Sequence, residues 1–138
     1  MTTKTFLQAS IFSAVVMWVL AGIAHEVIFV NFFSDASHAS HKGPALIFVA
    51  YCILSFIMTY LFSVCVKRDK LIVAGIKFGA LIGVLWVFPH GLAMAAAHGE
   101  SIVHEILNGI WHVLEQAVGG MAIAYIINRQ LKRAQVKN

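Results

Sequence analysis

Long apolar runs dominate the sequence and alternate with short polar segments. The runs cover about residues 6–33, 45–66, 71–97 and 102–127. Each of them reaches the ~20 residues that a helix needs to cross a bilayer. None of them alternates apolar and polar residues with a period of two, which disfavours a β-barrel. The pattern predicts an all-α integral membrane protein with four transmembrane helices.

The connections between the runs are short, so we expect the whole chain, residues 1–138, to form a single transmembrane domain. Short connections place consecutive helices side by side in opposite directions, which favours an up-down-up-down bundle. Gly75, Gly79 and Gly83 recur at every fourth position of the third run. Such a ridge lets another helix approach closely in lipid, either within the chain or from a second copy of it.

Composition and charge refine this picture. Hydrophobic residues make up 60% of the 138 residues and charged residues 12%, whereas soluble domains are about 45–50% apolar. Lys42 lies on one side of the predicted bundle, and every other Lys or Arg outside the runs lies on the opposite side. That basic side carries Lys4, Lys67, Arg68, Lys70, Arg129, Lys132, Arg133 and Lys137.

Basic residues favour the cytoplasmic side of a membrane. This bias predicts a multi-pass protein of the inner (plasma) membrane with both termini in the cytoplasm. The net charge of +4 is explained by this topology and by contact with the lipid bilayer. We therefore expect no nucleic-acid partner.

Polar side chains interrupt the fourth run at helical spacing. At about 100° per residue they fall on one stripe, about 100° wide. A charged side chain at this depth costs about 2.5–3.5 kcal/mol on insertion scales, so it needs a reason to be there. Two buried carboxylates without a cation would also repel each other. The stripe consists of His104, Glu105, Asn108, His112 and Glu115.

His112 and Glu115 are three residues apart and therefore project from adjacent turns of one helix face. Imidazole together with carboxylate suits zinc, iron, manganese or copper(II). His25, Glu26 and His90 are expected at a similar depth in the outer half of the first and third helices. We therefore predict a transition metal held by His112, Glu115, Glu26, His25 and His90.

On this hypothesis, His104, Glu105 and Asn108 form a second shell or an entrance to the site. The protein would then be a metal-binding inner-membrane protein, either a metalloenzyme or a metal-handling factor. No nucleophile is implicated, so the sequence leaves open whether the protein is catalytic.

Other functions remain open at this stage. Haem b could be held by two histidines, with His25 or His90 opposite His112, and the protein would then transfer electrons. The glutamates argue against that cofactor, since haem needs no carboxylate ligand. A proton path is also compatible with the stripe, although the stripe ends near Glu115. A further alternative is a non-catalytic subunit of a larger membrane complex, whose polar face would meet a partner helix.

Overall fold

The computed structural model describes residues 1–28, 43–66, 70–99 and 101–136. Within these ranges the chain is helical and contains no strand. The helices are α1 (Thr3–Ile23), which continues as a π-helical turn (Ala24–Ile28), α2 (Gly43–Cys65), α3 (Leu71–His98) and α4 (Ile102–Val136). All four, with the π turn included in the first, are long and apolar enough to cross a membrane. The fold is therefore that of a multi-pass membrane protein.

The boundaries differ from the predicted ones mainly at the end of α4. The helix continues to Val136 rather than ending near residue 127. At about 1.5 Å per residue it is roughly 50 Å long, whereas the apolar part of a bilayer is about 30 Å thick. The apolar run therefore marks where the helix leaves lipid and not where the helix ends. Residues 29–33 of the first predicted helix, and Lys42, Lys67, Arg68 and Lys137, lie outside the described residues.

Local capping accounts for two of the helix ends. The Thr2 hydroxyl oxygen accepts a hydrogen bond from the Thr5 backbone N–H at 3.2 Å and so caps the start of α1. Gly99 ends α3 with a φ of 71°, a conformation that few residues other than glycine adopt readily. Its N–H donates to the Ala95 carbonyl oxygen at 2.9 Å, which satisfies one of the last carbonyls of the helix.

The most extensive contact in the bundle joins α3 to α4. The glycine ridge, Gly75, Gly79 and Gly83, is buried in this contact. A Cβ atom on Gly79 would overlap the carbonyl oxygen of Gln116, and one on Gly83 would lie 2.8 Å from the Cα atom of Val113. The backbones therefore meet without intervening side chains. The ridge packs within the chain, which leaves it no free surface for a second copy.

On its other side α4 packs against α1, and α1 in turn packs against α2. The Ser13 hydroxyl donates to the carbonyl oxygen of Gly119 at 2.9 Å and so joins α1 to α4. The Ser55 hydroxyl donates to the carbonyl oxygen of Ser10 at 2.6 Å and joins α2 to α1. Contact between α2 and α3 is slight. Although these two helices are consecutive in the chain, they are connected mainly through α1 and α4.

We expect Gly79→Ala to destabilise the bundle, because the added methyl group would overlap the backbone of α4. Relieving the overlap would require the two helices to move apart. Overpacking of this kind costs about 1–3 kcal/mol. Gly22→Ala is the matched control, since nothing lies within 4 Å of a Cβ atom at that position. Thermal unfolding of both variants in the same detergent would measure the difference. Equal midpoints would contradict the described α3–α4 contact.

Candidate functional site

Glu115 lies in the middle of the bundle and is 1% exposed. Its carboxylate accepts hydrogen bonds from two neighbouring side chains. The Tyr51 hydroxyl of α2 donates to Oε2 at 3.0 Å, and the Gln116 amide donates to Oε1 at 3.3 Å. Each carboxylate oxygen therefore has a donor, which offsets part of the cost of placing the carboxylate in an apolar environment.

His112 lies almost one turn before Glu115 and shares its face of α4. The Nδ1 atom of His112 is 3.5 Å from Oε2 of Glu115. This nitrogen is buried and forms no hydrogen bond of good geometry with any residue that the structure describes. Nδ1 is therefore close to the carboxylate without being hydrogen-bonded to it, and the other ring nitrogen, Nε2, lies on the opposite side of the ring. A carboxylate behind an imidazole is the arrangement that commonly orients a metal-binding histidine.

Two aromatic rings flank the His112 ring. The His25 ring centroid is 6.3 Å from that of His112, and the Trp86 ring centroid is 5.9 Å from it. His25 belongs to the π turn (Ala24–Ile28) at the end of α1. Single π turns within α-helices are frequent at functional sites because they change the direction of the side chains they carry. The π turn thus brings a second imidazole close to the first.

An open cleft of about 740 Å³ lies beside this cluster, between the end of α1 and α2. Its walls are mostly apolar and include Trp18, Ile23 and Ile47. Its polar lining residues are His25, Glu26, Tyr51 and His112. The cleft therefore offers a largely apolar space with a small group of imidazole, carboxylate and phenol side chains at its wall.

The structure brings together three of the residues predicted for the site, namely His25, His112 and Glu115. Glu26 lines the same cleft, but its side chain is exposed. His90 is exposed on α3 and does not line the cleft. Within the described ranges, no group of three or more His, Cys, Asp or Glu side chains converges as a metal site. The predicted set of five ligands therefore finds no support in the structure.

The position of His90 has a simple geometric cause. The buried residues of α3 recur at every fourth position, from Gly75 through Gly83 to Gly91. Because an α-helix turns about 100° per residue, this stripe moves about 40° around the helix at each step. At Gly91, next to His90 in the chain, the buried stripe faces a direction about 100° from that of the His90 side chain. His90 thus has a suitable depth but faces away from α4.

The residues predicted as a second shell or entrance lie at the start of α4. The Glu105 carboxylate packs against Gly91 of α3, where an added Cβ atom would be 2.7 Å from Oε2. His104 and Asn108 are half-buried. The Oδ1 atom of Asn108 is buried without a hydrogen-bond partner among the described residues. Glu105 therefore belongs to the α3–α4 contact.

Sequence reasoning missed Tyr51, Gln116 and Trp86 as members of this cluster. Gln116 lies about 100° from Glu115 around α4, so it falls outside the polar stripe. It is nevertheless completely buried. Its amide in the middle of an apolar run was the signal that could have identified it. Tyr51 and Trp86 gave no such signal, since aromatic residues are ordinary in membrane helices.

The fold and the cluster together define a multi-pass helical membrane protein with a buried, hydrogen-bonded carboxylate beside an apolar cleft. Comparison of the chain with models of known families, with curated proteins and with solved structures finds no match. Any functional assignment must therefore come from the geometry of these side chains.

Tyr51→Phe should lower the free energy of unfolding by about 1–3 kcal/mol, because it removes the donor to a buried carboxylate oxygen. Tyr60→Phe is the matched control on the same helix, as Tyr60 is 60% exposed. Unfolding in mixed detergent micelles would measure both variants. In a double-mutant cycle with Glu115→Gln, the two changes should not be additive. Additive effects would mean that the phenol and the carboxylate do not interact.

Proposed function

We propose that the protein binds a transition metal ion in the outer half of the bundle, through the imidazoles of His25 and His112. Glu115 serves as the carboxylate that orients His112 and balances the positive charge of the ion. The observation that carries this proposal is the pair of histidine rings, with centroids 6.3 Å apart, beside a buried carboxylate. The role of Glu115 thereby changes from a direct ligand to a positioning residue.

The spacing of the two rings supports this assignment. Metal–nitrogen distances in histidine sites are about 2.0–2.1 Å, so two imidazoles on one ion have centroids at most roughly 6 Å apart. The observed separation therefore requires only a small movement of the rings. Two nitrogen ligands would leave further coordination positions of the ion for the Glu26 carboxylate, which lines the same cleft, or for a substrate. Imidazole ligands suit zinc, copper, iron and nickel.

Haem b is a second candidate, and the cleft is the observation that favours it. The cleft volume of about 740 Å³ and its apolar walls suit a flat, hydrophobic macrocycle. His25 and His112 would then hold the haem iron, and the buried Glu115 would act on the electronic properties of the haem through His112. Under this candidate the protein transfers electrons within the membrane.

We also propose that the helices form an up-down-up-down bundle in the inner membrane, with both termini in the cytoplasm. Residues near the start of α1 contact residues near the end of α4, as in the hydrogen bond from Gln130 to Gln8. Later residues of α1 pair with earlier ones of α4, as Ser13 does with Gly119. The positive-inside bias supports the cytoplasmic assignment of the end that carries Lys4 and Arg133.

The test of the metal centre is the metal content per chain of detergent-purified protein, measured by elemental mass spectrometry. We expect near-stoichiometric metal in the wild type and a loss of at least tenfold in His112→Ala and in His25→Ala. His90→Ala is the matched control and should retain the metal, because His90 is exposed on α3 and lies outside the cleft.

The same samples distinguish the two cofactors. Iron accompanied by a Soret band that is lost in His112→Ala would establish haem, whereas metal without this band would establish a bound ion. A wild type that holds neither metal nor haem, even after incubation with zinc, iron, manganese, nickel and copper ions or with haemin, would overturn both assignments. The buried cluster would then be a hydrogen-bonded network or a surface for a partner helix of a larger complex.

The topology can be tested by labelling with a thiol reagent that does not cross membranes. In a background of Cys52→Ala and Cys65→Ala, we expect Val136→Cys to react only after the cells are permeabilised, because the end of α4 lies in the cytoplasm. Ser101→Cys, in the opposite turn, should react in intact cells. The reverse pattern would invert the proposed orientation.

A further inference from the structure

A second surface feature lies at the opposite end of the bundle from the cleft. A groove of about 750 Å³ runs along the outside of the chain between α1 and α4. Lys4, Arg129 and Arg133 line its end, and all three side chains are exposed. The Gln130 amide donates to Oε1 of Gln8 at 3.0 Å and so connects the two walls. None of these residues takes part in the proposed metal centre.

The rest of the groove is apolar and follows one face of α1 deeper into the membrane-spanning region. Each of its apolar lining residues on α1 lies three or four positions from another of them, so together they form one continuous strip. They are Leu7, Ile11, Phe12 and Val15, and each is at least 40% exposed. Ile126 adds an apolar side chain from α4. The groove therefore changes along its length from three cations to exposed hydrocarbon.

The charge at the basic end is not compensated locally. Among the described residues that line the groove, none is acidic. Basic pockets between transmembrane helices bind the head groups of anionic lipids. Arginine suits a phosphate group particularly well, because its planar guanidinium group can donate two parallel hydrogen bonds.

We propose that this groove binds one anionic phospholipid. The lipid phosphate lies between Lys4, Arg129 and Arg133, and one acyl chain lies along Leu7, Ile11 and Phe12. The groove and a phospholipid have the same arrangement of charge. The cations lie near the end of the helices, where a head group would be, and the apolar strip lies deeper, where an acyl chain would be. The lipid would thus hold the start of α1 against the end of α4.

Native mass spectrometry of the full chain, released from micelles that contain equal amounts of phosphatidylglycerol and phosphatidylcholine, tests this proposal. We expect the wild type to retain more phosphatidylglycerol than phosphatidylcholine. A cation near a membrane surface contributes about 1 kcal/mol, or roughly fivefold in affinity. Arg129→Gln with Arg133→Gln should therefore reduce the preference by roughly tenfold or more.

Lys132→Gln is the matched control, because it removes the same charge from the same helix. Lys132 lines the adjoining cavity together with Arg129 and Arg133, but it does not line the groove itself. The control should leave the preference almost unchanged. An equal loss in Lys132→Gln and in Arg133→Gln would overturn the proposal, since the attraction would then depend only on total charge. Because all these side chains are exposed, circular dichroism should show that every variant remains folded.

A competition with inorganic phosphate separates a lipid from a free anion. If millimolar phosphate removes bound phosphatidylglycerol, the site recognises the anion alone and the assignment to a phospholipid is wrong. If the lipid remains bound, its acyl chain contributes and the proposal is supported. A wild type that retains both lipids equally would also overturn the proposal.

Discussion

The close approach of α3 and α4 is the constraint on which the rest of the structure depends. Gly79 and Gly83 allow the two backbones to meet, and this contact fixes the rotation of α4 about its axis. With Val113 and Gln116 held against α3, the neighbouring face that carries His112 and Glu115 is directed towards α1 and α2. The polar cluster is therefore positioned by glycines that belong to another helix and that carry no chemistry themselves.

Glu115 connects parts of the bundle that otherwise have little contact. Helix α2 scarcely packs against α4, yet Tyr51 reaches Glu115 across that gap at 3.0 Å. In an apolar environment a carboxylate without donors is strongly destabilising, so the phenol and the Gln116 amide are needed where they are. Such a requirement selects one arrangement of α2 among many that would bury a similar apolar area. The cluster can thus specify the packing of the bundle, in addition to the role in metal binding that we propose for it.

The positions of the four helices along the chain could be predicted from the sequence, but the rotation of each helix about its axis could not. The four spans follow from composition, because twenty apolar residues are sufficient to mark one. The common face of His112 and Glu115 also follows, because both belong to one helix. Whether His25 or His90 faces that pair depends on how separate helices pack. Only His25 does so, and the π turn that carries it has no recognisable sequence pattern.

The π turn connects the packed part of α1 to His25, so a change of length in the turn would act directly on the histidine pair. The buried residues of α1 extend from Thr5 to Ala21, and the buried surface continues into the turn at Ala24. Losing Ala24 would move His25 back by one position, about 100° around the helix axis, into the completely buried position that Ala24 occupies. A single change in chain length within the turn could therefore separate the two histidine rings. Chains that differ by one residue in this turn would therefore differ in the distance between the imidazoles of His25 and His112.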